Sequence, residues 1–140
     1  MAESAGFTSD NEEVRLLMEV GYFYLDMGRP KDAREVFEGV AALTPKSEYP
    51  LLGLGSAYFH EKKFPQAKRS YESAIGMNGK NGMAQALLGE TLIFMKQPDA
   101  ARVALGKASA LSAEESVQNF VKHLSHALDA GVLPLKPATR

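Results

Sequence analysis

The chain has 140 residues, 45% of them hydrophobic, and its 16 Lys and Arg against 17 Asp and Glu leave a net charge of -1. Such a chain is one domain by length and buries roughly two-thirds of the surface that its unfolded form exposes, while near-neutrality disfavours nucleic acid and anionic membranes, which select a surplus of Lys and Arg. Zero cysteine excludes disulfides, thiolate nucleophiles and Cys-containing metal sites.

The N-terminal stretch MAESAGFTSDNEE is acidic and polar, where a signal peptide would be basic and then apolar. No run of about 18 apolar residues is present to span a bilayer. Together with the missing cysteines this predicts a cytoplasmic protein that does not engage a membrane. Residues 1–10 lack periodicity and are expected to be a disordered lead. A helix over about 12–27 follows, with Asn11 as its cap and Glu12 and Glu13 complementing the positive helix end. Its apolar residues recur almost all round the helix, leaving one face beyond those needed for packing on two neighbours.

Gly28 ends that helix, and Pro30 opens a second over 30–43 at a position where its missing N–H costs nothing. Further helices are predicted over 48–61, 64–77, 82–95 and 98–110, with Phe64-Pro65 and Gln97-Pro98 repeating the punctuation of Arg29-Pro30. Ser47 and Asn81 are the expected caps after the intervening turns. A seventh helix is expected over 113–130, opened by a capping box between Ser112 and Glu115 and ended by Gly131. The tail 131–140 holds two prolines and is expected to be flexible.

The helices belong to a repeating unit. Gly21, Gly55 and Gly89 lie 34 residues apart, as do Ala33, Ala67 and Ala101, the series Phe37, Tyr71 and Leu105, and the series Val40, Ala74 and Ala108. This period, with small residues where helices touch, resembles the tetratricopeptide repeat. The resemblance implies an all-α fold: three repeats (about 14–47, 48–81 and 82–113) as six antiparallel helices in a right-handed superhelix, closed by the C-terminal capping helix 113–130, in one domain over 11–130. At the tightest crossings Gly21 is expected to face Ala33 and Gly55 to face Ala67, with Tyr58 and Tyr71 filling the gap toward the next repeat.

In this fold the first helix of each repeat lines the concave face through its second, fifth, ninth and twelfth places. These are Arg15, Met18, Tyr22 and Leu25; Tyr49, Leu52, Ser56 and Phe59; and Met83, Ala86, Glu90 and Ile93. All but Arg15, Ser56 and Glu90 are apolar or aromatic, and a soluble protein seldom leaves so large an apolar surface uncovered. The expected occupant is an extended apolar segment or an amphipathic helix of a protein client; the competing occupants are the C-terminal helix and a second copy of the chain. Repeat chaperones that clamp a partner's terminal carboxylate use Lys, Asn and Arg, whereas Met18, Tyr22, Ser56 and Ala86 stand here.

Catalytic and cofactor readings find little support. His123 and His126 lie three apart without a third ligand at helical spacing, and His60 stands alone beside Glu61. Gly53-Leu54-Gly55 lacks a preceding strand and a GK[ST] sequence, so it is no phosphate loop. Lys62, Lys63, Lys68 and Arg69 read as a solvated basic face. The chain is expected to be non-enzymatic, without cofactor or metal.

The run LLGLGSAYFHEKKFPQAKRSYESAI, then AQALLGETLIFMKQPDAARVALGKASAL and a helix carrying Phe120, Val121, Leu124 and Leu128, resembles the class II chaperones of bacterial type III secretion and the related chaperones of the needle subunit. The resemblance implies a cytoplasmic chaperone that holds a secreted translocator or needle subunit until export, with a homodimer or a co-chaperone as further partner. The alternative is a general repeat adaptor or assembly scaffold with a folded cytosolic partner.

Overall fold

The computed structural model describes residues 11–131. Those residues form seven α-helices and no strand: α1 (Glu12–Asp26), α2 (Pro30–Leu43), α3 (Tyr49–His60), α4 (Phe64–Met77), α5 (Gly82–Phe94), α6 (Pro98–Leu111) and α7 (Glu115–Ala130). The expected lead over 1–10 and all but the first residue of the expected tail lie outside the described residues.

Local chemistry explains the boundaries. The Asn11 side chain accepts the amides of Glu13 and Val14 at the start of α1, and that of Asn81 accepts the amide of Ala84 at the start of α5, as a cap should. Each repeat turns between its two helices through the same backbone device. Gly28, Lys62 and Lys96 adopt left-handed φ angles of 74°, 62° and 62°. Their amides reach back to Leu25, Phe59 and Ile93, and the next amides, of Arg29, Lys63 and Gln97, reach Tyr24, Tyr58 and Leu92. This pair of bonds is the Schellman motif, and its left-handed residue recurs at the 34-residue period.

Two expected caps differ in the structure. Ser47 accepts the amide of Tyr49, but Glu48 occupies the cap position of α3. No Ser112–Glu115 box forms, because α7 begins only at Glu115. Ser112 accepts the amide of Glu114, and the Gln118 side chain donates to the Ser109 and Ser112 carbonyls, bracing the α6–α7 connection.

The chain divides into two compact units, Met1–Met77 and Asn78–Arg140. In the first, α2 packs between α1 and α3, and α4 packs on α3. Its core is centred on Phe37, fully buried with Leu25, Ala33 and Ala57 around it. A Cβ built on Gly21 or on Gly53 would come within 2.5 Å of the Phe37 ring, so both glycines exist to admit it.

Gly55 makes the same room for Tyr71, and in the second unit Gly89 does so for Leu105. The glycine column therefore makes room for the large residue 16 positions on, and at Gly89 the Ala101 carbonyl also lies 3.5 Å from the place of an added methyl, in the expected Gly–Ala column. The rings need the space at the crossing; Ala33, Ala67 and Ala101 are themselves fully buried. Tyr71, expected to point toward the next repeat, lies against its own repeat's Gly55, with its hydroxyl 3.1 Å from that of Ser56.

In the second unit α5 and α6 pair, and α7 lies across both. Val117, Val121, Leu124 and Leu128 of α7 join Leu92, Ile93 and Leu105 in one core. The polar residues of α7, such as Lys122, His123 and His126, remain exposed. The last helix is thus the cap that closes this unit.

Candidate protein-binding cleft

The places taken as concave-facing split into two classes. The second and ninth are open or half-open: Arg15, Tyr22 and Tyr49 are exposed, and Ser56, Met83 and Glu90 are half-buried. At the fifth and twelfth places, Leu25, Leu52, Ala86 and Ile93 are buried, while Met18 and Phe59 are half-buried. Helix geometry gives the reason. Seven residues are almost two full turns, so the second and ninth places share a line, whereas a step of three rotates about 60° toward the packed side.

Four open or half-open residues from the first two repeats come together. Arg15, Met18 and Tyr22 of α1 and Tyr49 of α3, with Val14, Glu19, Ser47 and Pro50, line a cleft of about 470 Å³. Asn11 fixes the start of α1, which sets Arg15 and Met18 at its mouth. The Ser47 bond to the Tyr49 amide fixes the first turn of α3 on the other side.

Tyr22 stands with its ring edge-on to Phe37, centroids 5.0 Å apart. This contact anchors it in the cleft while leaving it 40% exposed. Burial raises the pKa of its hydroxyl above the usual tyrosine value, so it stays a neutral donor and acceptor across the physiological range. Tyr49 is 49% exposed. The lining thus offers two rings and a methionine thioether as apolar contact, with an Arg, a Glu and hydroxyls to fix the direction of a bound segment.

The other proposed contacts are not in this cleft. Phe59 packs edge-on to Phe64, centroids 5.2 Å apart, and Ser56 is engaged with Tyr71. Met83 packs against the core of the second unit, and Glu90 is half-buried there. The cleft also contains four residues beyond the periodic places: Val14 and Glu19 of α1, and Ser47 and Pro50. The signal for Ser47 and Pro50 lay in the turn sequence before α3 rather than in the helical period.

The basic stretch after α3 is not uniformly solvated. Glu61, with a side chain only 6% exposed, takes Arg34 at 3.0 Å and Lys63 at 3.0 Å. Desolvation acts most strongly on Glu61 and would raise its pKa, but the bonds and charges of Arg34 and Lys63 together outweigh it and leave the pKa below the ordinary value. Arg34 also lies over the Tyr58 ring, 5.4 Å from its centroid. Tyr58, expected to fill the gap toward the next repeat, is instead engaged by α2 of the preceding one. A second pair, Arg102–Asp129 at 2.8 Å, occupies the same columns two repeats later. His60 uses Nδ1 on the Ser56 carbonyl. Among the described residues no group of three or more His, Cys, Asp or Glu is placed to hold a metal, and no helix is long and apolar enough to cross a membrane.

Two tetratricopeptide repeat family models match the chain, one over residues 14–47 and one over residues 58–124, together well over half of it. The chain is a tetratricopeptide repeat protein. No curated protein matches it by sequence. Among solved structures, the repeat protein is similar to the Yersinia enterocolitica type III secretion chaperone SycD in complex with a peptide of the translocator YopD, with a TM-score of 0.74 at 20% identity over 86% of this chain and 95% of that one. It is similar to PcrH in complex with the chaperone binding region of PopB, with a TM-score of 0.73 at 20% identity over 82% and 94% of the two chains. The second repeat domain of Spaghetti (RPAP3), bound to the HSP90 peptide SRMEEVD, gives 0.66 at 18% identity over 72% and 94%. At these identities the likeness is one of fold.

Proposed function

We propose that this repeat protein is a non-enzymatic protein-binding module of the type III secretion chaperone kind. In this reading it holds an aggregation-prone secreted subunit, a translocator or needle protein, in the bacterial cytoplasm. The observation that carries the reading is the cleft between α1 and the start of α3, where Met18, Tyr22 and Tyr49 present apolar surface beside Arg15 and Glu19. An extended segment or one face of an amphipathic helix fits such a lining. Similarity in fold to SycD, solved with a peptide of the translocator YopD, and to PcrH, solved with the chaperone binding region of PopB, supports the choice of client class. Covering the segment would suppress its premature assembly by mass action.

The alternative is a general adaptor with a folded cytosolic partner, which the likeness to the Spaghetti domain favours. Met18, Tyr22, Ser56 and Ala86, standing where carboxylate-clamping repeats carry Lys, Asn and Arg, argue against a partner held by its terminal carboxylate. The test is co-expression with the translocator and needle subunits of its host. Tyr22→Ala with Tyr49→Ala is expected to keep the helical circular dichroism and to reduce the co-purified subunit at least tenfold. Wild-type recovery by the double variant would rule out the cleft as the client site.

A further inference from the structure

The outer face of α1 carries an apolar stripe that no described residue covers. Leu16, Val20, Phe23 and Met27 follow one another at steps of four, three and four, and Leu16 and Phe23 are 60% and 61% exposed. They lie on the side of the helix away from its buried residues Val14, Gly21 and Leu25, and Phe23 and Leu16 take no part in the cleft. The spacing is that of a coiled-coil seam.

One flank of the seam is uniformly charged. Glu12, Glu19 and Asp26 repeat every seven residues, so they form a line beside the stripe. All three are exposed, and none is ion-paired with a described residue. The opposite flank holds Leu17 and Tyr24. In a helix pair the flanking positions decide the partner. Two copies of α1 set antiparallel would bring the acidic lines together, and set parallel would lay them against Leu17 and Tyr24, where Arg29, stacked 5.0 Å from the Tyr24 ring centroid, is already paired with Asp32. A basic flank on a different helix meets the acidic line better than a second copy does.

We infer that the outer face of α1 docks an amphipathic helix of a different protein, one with an apolar seam and Lys or Arg along the flank that meets Glu12, Glu19 and Asp26. The apolar seam shares no residue with the client cleft, which it meets only at the flanking Glu19, and the inference does not depend on the proposed client.

The probe is a pair of synthetic 21-residue helical peptides with the same leucine and valine seam, one with Lys and one with Glu at every flanking position. Binding to the full chain is read by fluorescence anisotropy at low and high salt, with the chain's mass measured by light scattering. The Lys peptide is expected to bind at least tenfold more tightly than the Glu peptide, with the preference falling as salt rises, and the chain alone is expected to be monomeric. Phe23→Asp, at an exposed position, should abolish binding without loss of helicity. Asp26→Lys, outside the cleft lining, should shrink the preference between peptides while leaving the seam intact. Equal binding of both peptides, no binding of either, or binding that survives Phe23→Asp overturns the inference. A dimer of the chain that Phe23→Asp dissolves assigns the face to a second copy instead, and Lys-peptide binding seen only after removal of residues 1–10 assigns it to that segment.

Discussion

At the scale of single residues, the repeat is a set of rings and the glycines that admit them. Gly55 illustrates the constraint: a methyl there would sit 2.5 Å from the Tyr71 ring. That ring cannot retreat, because it is 1% exposed and its hydroxyl is held by Ser56. Gly55→Ala is expected to cost about 1–3 kcal/mol, the usual range for overpacking, measured by urea denaturation. Combining it with Tyr71→Ala should cost clearly less than the sum of the two changes, as for any directly contacting pair. Gly39 and Gly106 are the controls. They lie inside α2 and α6 with nothing within 4 Å of the place an added methyl would take, so alanine there should stabilise the chain by about 0.5–1 kcal/mol each through helix propensity. The columns Gly21, Gly55 and Gly89 were legible as a period because each repeat places its large core residue, Phe37, Tyr71 or Leu105, at the same offset. Which partner each glycine faced was not legible, since a 34-residue period aligns all columns equally and does not say which pairs touch.

At the scale of elements, the turns between paired helices carry a cost in the second and third repeats and none in the first. Lys62 and Lys96 hold the left-handed conformation that Gly28 adopts freely. A residue with a Cβ gives up roughly 1–2 kcal/mol in that region, and part of the gain on substitution is returned as unfolded-chain entropy. Lys62→Gly should therefore raise stability by about 1 kcal/mol, read as a higher urea midpoint at unchanged slope. A lower midpoint would mean that the Lys62 side chain contributes more than its backbone costs. The same corner holds Glu61, tied to Arg34 of α2. Its carboxyl is depressed below its ordinary value of 4.5, so the unfolded state binds the proton more readily. The stability it contributes is present above that ordinary value and is lost as pH falls through the lower folded value. Glu61→Gln should thus cost more at neutral pH than in acid, with the difference between variant and wild type narrowing below pH of about 4.5. At neutral pH the loss should fall between the ~0–1 kcal/mol of exposed pairs and the ~3–5 kcal/mol of fully buried ones. Helix and turn positions were readable because capping, proline and glycine signals act locally. The Arg34–Glu61 tie was not, because its partners are separated by a whole helix and part of the next.

At the scale of the whole molecule, the first and last helices differ in what they leave outside. The seam of α7, Val117, Val121, Leu124 and Leu128, is buried, and its other face is polar. α1 buries Val14, Gly21 and Leu25 but leaves Leu16, Val20, Phe23 and Met27 in water. The apolar pattern all round α1 was visible in the sequence, yet the concave-face places were only half legible. Sequence spacing distinguishes one side of a helix from the other but not a line that is open from one rotated about 60° into the core, and Leu25 and Leu52 fell on the buried line while Tyr22 and Tyr49 stayed open. Local stability follows buried contact, so a first helix packed on one side should open more easily than α3, which has neighbours on both. Amide hydrogen exchange measures this directly. In the free chain the amides of α1 are expected to exchange faster than those of α3 and α7, and the helical peptide with Lys flanks should slow exchange in α1 while leaving α7 unchanged. If α1 is already as protected as α3 without the peptide, its outer face is covered in solution and its exposed stripe is not free for a partner.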